Sequence, residues 1–520
     1  MPHDMRPTET SFVKSLHVAR PDLVSEFLSA LPGARAAVMA RLWRALLFER
    51  ELAALTAGRV HGPGLRPYDV GTPKDELTLR LDGREYTHPT DLLIDLGLPG
   101  SAQLVAELDH SVASLALSRA NAVPGTGDGL VSWEQSVVDG HPYHPCCRSR
   151  PGFSVADQLA YAPEHRQQVT LGLVAVPAAD CTVIGDWPRG LCEGDRILLP
   201  AHPWQLRETL PRLGFGPTGD GLAAAPLMSV RTLAPLDGGP HLKTSLSLRM
   251  TSAVRDISGE SVVNSAPLSA LLEELCARLG GSLLLTRNLA AASALIDGVA
   301  RPELAVLVRE SPEVHAGPGE RVVPLAAVAE HPPVLADPVG WLRGLAALAW
   351  PPLLQLLAWG VALEAHGQNL LVVLDGQDRP RRLVYRDLAD VRVSRTRLAA
   401  VGVRPSSLGG HVLDDDPVAL RRKLFGSALG GTFSTLVSAL GRCERTFEDR
   451  LWAAVATEAA AAAAVLLPED RRALLSEPLP VKALTLMRLE SGTPGDRWTL
   501  LPNPLVAGSG ITADILISGQ

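Results

Sequence analysis

The stretch "HLKTSLSLRMTSAVR", residues 241–255, alternates over most of its length. Leu242, Leu246, Leu248 and Met250 share one parity, and Lys243, Ser245, Ser247, Arg249 and Thr251 share the other. Successive side chains of a strand point to opposite faces, so the pattern predicts one face on a core and one lined with cations and hydroxyls. A solvent-facing strand usually mixes both signs of charge, yet no carboxylate occurs here before Asp256. Arg255 extends the polar surface, and the preceding run "PLMSVRTL" (226–233) adds Ser229 and Arg231. Two such strands side by side would make a floor for a polyanion.

Further short β-type runs lie on either side: "QVTLGLVAV" (168–176), "RILLPAHPW" (196–204) and, as the last of them, "ELAVLVRE" (303–310). Residues 8–57 and 110–123 carry helical patterns, separated by a hairpin signal over 76–88 around Asp82-Gly83. Toward the other end come a long apolar helix, a hairpin over 369–388 and two helical regions near 417–440 and 446–467. The Pro/Gly-rich "PGTGDG" (124–129) and the loop "SPEVHAGPGERVVP" (311–324) mark boundaries. The chain is therefore expected to be α+β in three regions: 1–125, 126–315 and 316–520.

The 520 residues are 46% apolar and 20% charged, a globular mixture, and a net charge of −7 argues against binding nucleic acid through bulk charge. Six cysteines are too few for a disulfide scaffold and read as free thiols in a reducing compartment. "MPHDMRPTETSF" lacks the apolar run of a secretory signal, so a cytoplasmic protein is expected. Residues 344–363 hold no charge and could span a bilayer by length, but Pro351-Pro352 sits at their centre and no second span is evident. A helix buried on all sides, with no membrane partner, is the reading adopted.

Two other segments carry chemistry. "GHPYHPCCRSRPGF" (140–153) admits three readings. His141 and His144 with Cys146 or Cys147 could hold zinc, the prolines could fix a plain turn, or Arg148 and Arg150, two apart, could grip phosphate or carboxylate. "EAHGQN" (364–369) clusters Glu364, His366, Gln368 and Asn369, and Asp387 of "YRDL" lies one hairpin away. Amide and carboxylate oxygens in such loops hold Mg²⁺ in phosphoryl-transfer enzymes. No GxxxxGK[ST], GxGxxG or GxSxG motif occurs, and "PAHPWQ" (200–205) reads as a structural turn.

Taken in order, "GHPYHPCCRSRPGF", "HPWQ", "KTSLSLRMTSAVR" and "EAHGQN…YRDL" resemble the IucA/IucC-like synthetases, the NRPS-independent siderophore (NIS) synthetases. The resemblance implies a cupped hand: a helical and hairpin thumb (1–125), β-rich fingers (126–315) and a mostly helical palm (316–520), in a homodimer. It implies an ATP-dependent ligase that activates citrate or a citrate derivative as an acyl-adenylate, releases pyrophosphate and condenses the acyl group with an amine or alcohol. By that pattern Ser229, Arg231, Thr232, Lys243, Arg255, Glu364, His366, Gln368 and Asn369 would bind ATP. Lys243, Arg255 and His366 would be catalytic; His144, Arg148, Arg150, Thr251 and Arg255 would face the acid; and Asp387 with Asn369 would hold Mg²⁺. Arg148 stands where the family would have lysine, and a guanidinium fork differs in geometry from an ammonium. A kinase-like phosphotransferase and a non-catalytic polycarboxylate-binding protein are the competing functions.

Overall fold

The computed structural model describes residues 5–70, 76–123, 127, 129–251, 253–405, 407–442, 444–490 and 495–506. The boundary expected between 125 and 126 lies outside them, as does Cys443. A nine-stranded sheet forms the centre. In spatial order its strands are Cys181–Gly185, Asn288–Ile296, Val299–Arg309, His241–Thr244, Thr232–Pro235, Leu222–Pro226, Val169–Pro177, Arg196–Ala201 and Cys192–Glu193, all antiparallel.

The 241–255 stretch departs from the single strand expected. His241–Thr244 is a central strand, but the chain leaves the sheet at Ser245, and Leu246–Met250 pairs instead with Ala253–Arg255 in a separate hairpin. Main-chain bonding explains the break. The Ser245 hydroxyl donates to the carbonyls of Pro302 (2.5 Å) and Ala305 (3.1 Å), and its own N–H also goes to Ala305. The polar parity is thereby dispersed: Ser247 donates to Asp256 and is held by Gln205, while Lys243 alone points toward the second sheet. The apolar parity behaves as read, since Leu246, Leu248 and Met250 are buried with Phe153, Trp204 and Val230.

That second sheet is ordered Leu283–Leu285, Pro380–Tyr385, Leu370–Leu374, Arg321–Pro324; only its first pair is parallel. Helix Pro338–Trp359 packs on it in the largest core cluster. The helix is not buried on all sides. Arg343, Ala347 and Pro351, four apart, form an exposed stripe, so Pro351 breaks the hydrogen-bond ladder where water can take the freed carbonyl. Among the described residues two helices, Pro21–Phe48 and Pro417–Gly441, are long and apolar enough to cross a membrane by length and composition, and Pro338–Trp359, the one expected from the sequence, is not among them.

Helices Pro7–Ala19, Val24–Phe48 and Ala102–Ala120 build the N-terminal core. The hairpin expected around Asp82-Gly83 is present, with both residues at positive φ (49° and 89°), as a type I′ turn requires. Cys146, Cys147, Ala483 and Leu486 join the same core, which ties the 140s loop and a C-terminal segment to the N-terminal helices. The five described cysteines are free, as expected.

Candidate active site

The two sheets meet at Lys243 and Asp387. Lys243 lies mid-strand between Leu307 and Thr232, and Asp387 follows the strand Pro380–Tyr385. Lys243 Nζ donates to both carboxylate oxygens, at 2.6 and 2.8 Å, and Arg309 Nη1 lies 3.7 Å from the same carboxylate. Burial pulls the Lys243 ammonium down to about 8, against the upward pull of Asp387. Burial pushes the Asp387 carboxyl up, but Lys243, Arg309 and Arg231 outweigh it and hold the group well below the usual carboxylate range.

Backbone strain gathers here. Val230 (φ 66°), Thr251 (φ 54°) and Asp387 (φ 68°) all occupy left-handed backbone, which costs about 1–3 kcal/mol each and persists where surrounding structure enforces it. The turn before strand Thr232–Pro235 is stapled by its own side chains: the Ser229 hydroxyl donates to Thr232 Oγ1 at 2.8 Å and accepts from the Thr232 N–H. Arg231 Nη1 donates to the carbonyls of Arg255 (2.6 Å) and Asp256 (3.1 Å). Arg255 Nη2 in turn donates to Met250 O and Thr251 Oγ1. One network therefore fixes the 227–232 turn to the 246–255 hairpin.

On the opposite wall, Gly367 crosses close to strand end and helix start, where a Cβ would sit 2.8 Å from the Ala326 nitrogen; only glycine allows this approach. Asn369 lies beside Arg386, whose N–H donates to the Asn369 carbonyl, so the hairpin returns the "YRD" loop to "HGQN" as expected. Asn369 Nδ2 donates to the Glu364 carbonyl at 3.4 Å. Tyr385 bridges the two loops, accepting from the Glu364 N–H and donating to the Asp387 carbonyl. Burial raises the Glu364 carboxyl, but Lys482 and Lys423, at 3.3 and 3.1 Å, bring it down to about 2. His366 Nε2 lies 3.9 Å from Glu364, and burial lowers its pKa.

The 140s loop is arranged differently from a free anion grip. Arg150 forms a two-pronged pair with Glu164 at 2.8 and 3.1 Å, with Arg150 3% and Glu164 1% exposed. Arg148 lies 3.8 Å from the same carboxylate and donates to the carbonyls of Val137 and Val138. The paired arginines do converge on a carboxylate, but it is the protein's own. His144 is buried, and burial with Arg488 and Arg255 lowers its pKa to about 3, so it is neutral, its Nδ1 accepting from the Cys146 N–H. Among the described residues no group of three or more His, Cys, Asp and Glu could hold a metal ion, which removes the zinc reading for them. His202, of "PAHPWQ", caps a short helix by accepting from Trp204, a structural role as expected.

Sequence reasoning missed Arg309, Lys423 and Lys482. Arg309 had a weak signal, a cation at the end of the apolar run 304–308; the lysines reach Glu364 only through the fold.

Residues 129–330 match the IucA / IucC family, and residues 340–495 match a group described as ferric iron reductase FhuF-like transporter. Over residues 129–330 the chain is thus similar to the IucA/IucC-like family. It is 25% identical to staphyloferrin A synthase of Staphylococcus aureus over 70% of this chain and 71% of that protein. It is 28% identical to L-2,3-diaminopropanoate–citrate ligase of the same organism over 68% and 70%. The petrobactin biosynthesis protein AsbB of Bacillus anthracis shares the fold with a TM-score of 0.75 at 19% identity, covering 96% of this chain and 98% of AsbB. ATP-bound aerobactin synthetase IucA of Klebsiella pneumoniae does so with a TM-score of 0.70 at 19% identity, covering 89% and 99%.

Proposed function

We propose that this chain is an ATP-dependent synthetase that activates a carboxylate, citrate or a citrate derivative, as an acyl-adenylate. It then condenses the acyl group with an amine or alcohol in siderophore-type biosynthesis. The observation that carries the reading is the Lys243–Asp387 pair ringed by Arg231, Arg255 and Arg309 where two sheets meet. Attack of a carboxylate oxygen on the α-phosphorus gathers negative charge there, and preorganised cations stabilise it without reorganising. The named relatives, one of them a citrate ligase, point to the same substrate class.

In this reading Ser229, Arg231, Thr232, Lys243, Gln368 and Asn369 hold the triphosphate, with Glu364 fixing His366 beside it. Arg255, at once on Thr251 and beside the phosphate turn, orients the carboxylate against the α-phosphate, and the loop of neutral His144 faces the acid. Arg148 and Arg150 anchor the loop that carries His144. Mg²⁺ usually takes one or two protein oxygens and completes its shell with phosphates and water. Asp387, held ionised beside Asn369, fits that need. The ion would neutralise charge on the departing pyrophosphate. We further propose thumb, fingers and palm roles for 1–125, 126–315 and 316–520, a homodimer, and a cytoplasmic setting without nucleic-acid or membrane partners.

The nucleotide product tests this. With ATP, Mg²⁺ and a panel of citrate, succinate, α-ketoglutarate and citryl monoamides, acid-dependent AMP and pyrophosphate are expected. ADP would make the protein a phosphotransferase, and no turnover with any acid would leave a binding protein.

A further inference from the structure

One fully buried carboxylate touches both walls of the site and has no part in the chemistry above. Glu134 sits in the short helix Leu130–Gln135 and is 0% exposed. Its Oε2 accepts from the Met228 N–H at 3.1 Å, the residue just before Ser229. Its Oε1 lies 2.5 Å from Arg386 Nη1, in a pair whose arginine is 4% exposed. Arg386 in turn donates from Nε to the Gln368 carbonyl at 3.0 Å and from its main-chain N–H to the Asn369 carbonyl at 3.0 Å. Gln135, the next residue, donates to the Pro226 carbonyl at 3.1 Å. Leu130, on the same helix, packs with Val322, Leu371, Val373 and Val384 of the second sheet.

We propose that Glu134 is a positioning residue that sets the spacing between the phosphate-binding turn 227–232 and the "HGQN" loop. The inference rests on the functional reading above. Three observations converge on it. Glu134 accepts a main-chain hydrogen bond on the fingers side and forms an ion pair with a guanidinium on the palm side, so neither wall can shift alone without breaking one contact. Arg386 donates its guanidinium Nε to the Gln368 carbonyl and its main-chain N–H to the Asn369 carbonyl, both in the "HGQN" loop. The pair is fully desolvated, so removing one charge strands the other and the effect cannot be absorbed by water. Lys243 and Asp387 meet across the gap that this tie spans, and adenylation needs both walls in register.

The test compares wild type, Glu134→Gln, Arg386→Gln and the double variant. Glu134→Gln keeps an oxygen for the Met228 N–H but loses the charge that orders Arg386. Per folded molecule, acid-dependent pyrophosphate release should fall on the order of 10- to 100-fold in kcat, the range expected when reacting groups are displaced by about an ångström. The double variant should be no worse than the worse single one, because both substitutions break one tie. Amide hydrogen exchange on the same proteins gives a second measurement that needs no turnover. In Glu134→Gln, exchange should accelerate together at 227–232 and at 366–370, against unchanged exchange in the helix Ala102–Ala120. Loss of thermal stability with kcat per folded molecule within about twofold of wild type overturns the proposal. So does acceleration confined to one of the two segments. If wild type itself shows no acid-dependent turnover, the functional reading fails while the exchange result still decides the tie.

Discussion

Lys243, in the nine-stranded sheet, and Asp387, 144 residues on and just past a strand of the four-stranded sheet, share two hydrogen bonds of 2.6 and 2.8 Å. The pair closes the contact between the nine-stranded sheet and the hairpin of the four-stranded sheet and sets a cation against an anion in the proposed nucleotide site.

The first prediction concerns pH. Burial brings Lys243 to about 8, and a cation is needed there for phosphate, so kcat/KM should fall as pH rises through about 8. Lys243→Arg keeps its charge to far higher pH and should move that alkaline limb upward even if the rate itself drops. A limb unchanged in position would assign it to another group.

Asp387→Asn should remove acid-dependent turnover by at least about 10²-fold, since it deletes a charge at the reacting phosphates. Nucleotide-product assays against wild type check this. A non-catalytic binding protein would instead keep its ligand affinity and show no difference.

Arg150→Ala leaves the Glu164 carboxylate buried without its two-pronged partner. It should destabilise the protein by about 3–5 kcal/mol, whereas Arg150→Met with Glu164→Gln together should cost much less. Cys146→Ser should change stability by less than about 1 kcal/mol, because the buried thiol only donates weakly to Glu107 at 3.7 Å. Denaturant midpoints with unchanged m-values distinguish these outcomes.

Glu49 predicts a stability slope. Burial pushes its carboxyl up to about 7, although the N–H groups of Thr485 and Leu486 pull the other way. A folded-state pKa above the ordinary 4.5 means that the folded protein binds the proton more tightly. Stability should therefore fall as pH rises from about 4.5 to about 7 and level off above. Glu49→Gln cannot ionise and should flatten that slope, while its single carbonyl oxygen can accept from only one of the two N–H groups and its NH₂ would face the other.

What could be read from the residues, and what could not, follows from where the information resides. "HGQN" and "YRD" were legible because their chemistry is contiguous and a hairpin obliges them to meet. The departure at Ser245 was not, because side-chain parity carries no record of the main-chain carbonyls at 302 and 305 that capture its hydroxyl. Arg148 and Arg150 were read as a grip for a ligand anion, but they meet the protein's own Glu164, which lies on a separate 3₁₀ turn that no spacing announces. The strand Asn288–Ile296, "NLAAASALI", was invisible to strand propensity because alanine favours helix. Its small side chains let the helix Gly259–Arg278 sit close, with Ala291 packed among Ile257, Val262, Ala305 and Leu307. Ala291→Leu should accordingly cost about 1–3 kcal/mol in thermal or denaturant unfolding.

The most direct test of the account follows an oxygen atom. Citrate, or whichever acid of the panel supports turnover, is labelled with ¹⁸O in its carboxylates and incubated with ATP, Mg²⁺ and an amine. If the carboxylate attacks the α-phosphorus and the amine then displaces the nucleotide, the bridging oxygen leaves with AMP, so AMP carries one ¹⁸O. Unlabelled AMP, or label in orthophosphate beside ADP, would contradict the adenylate.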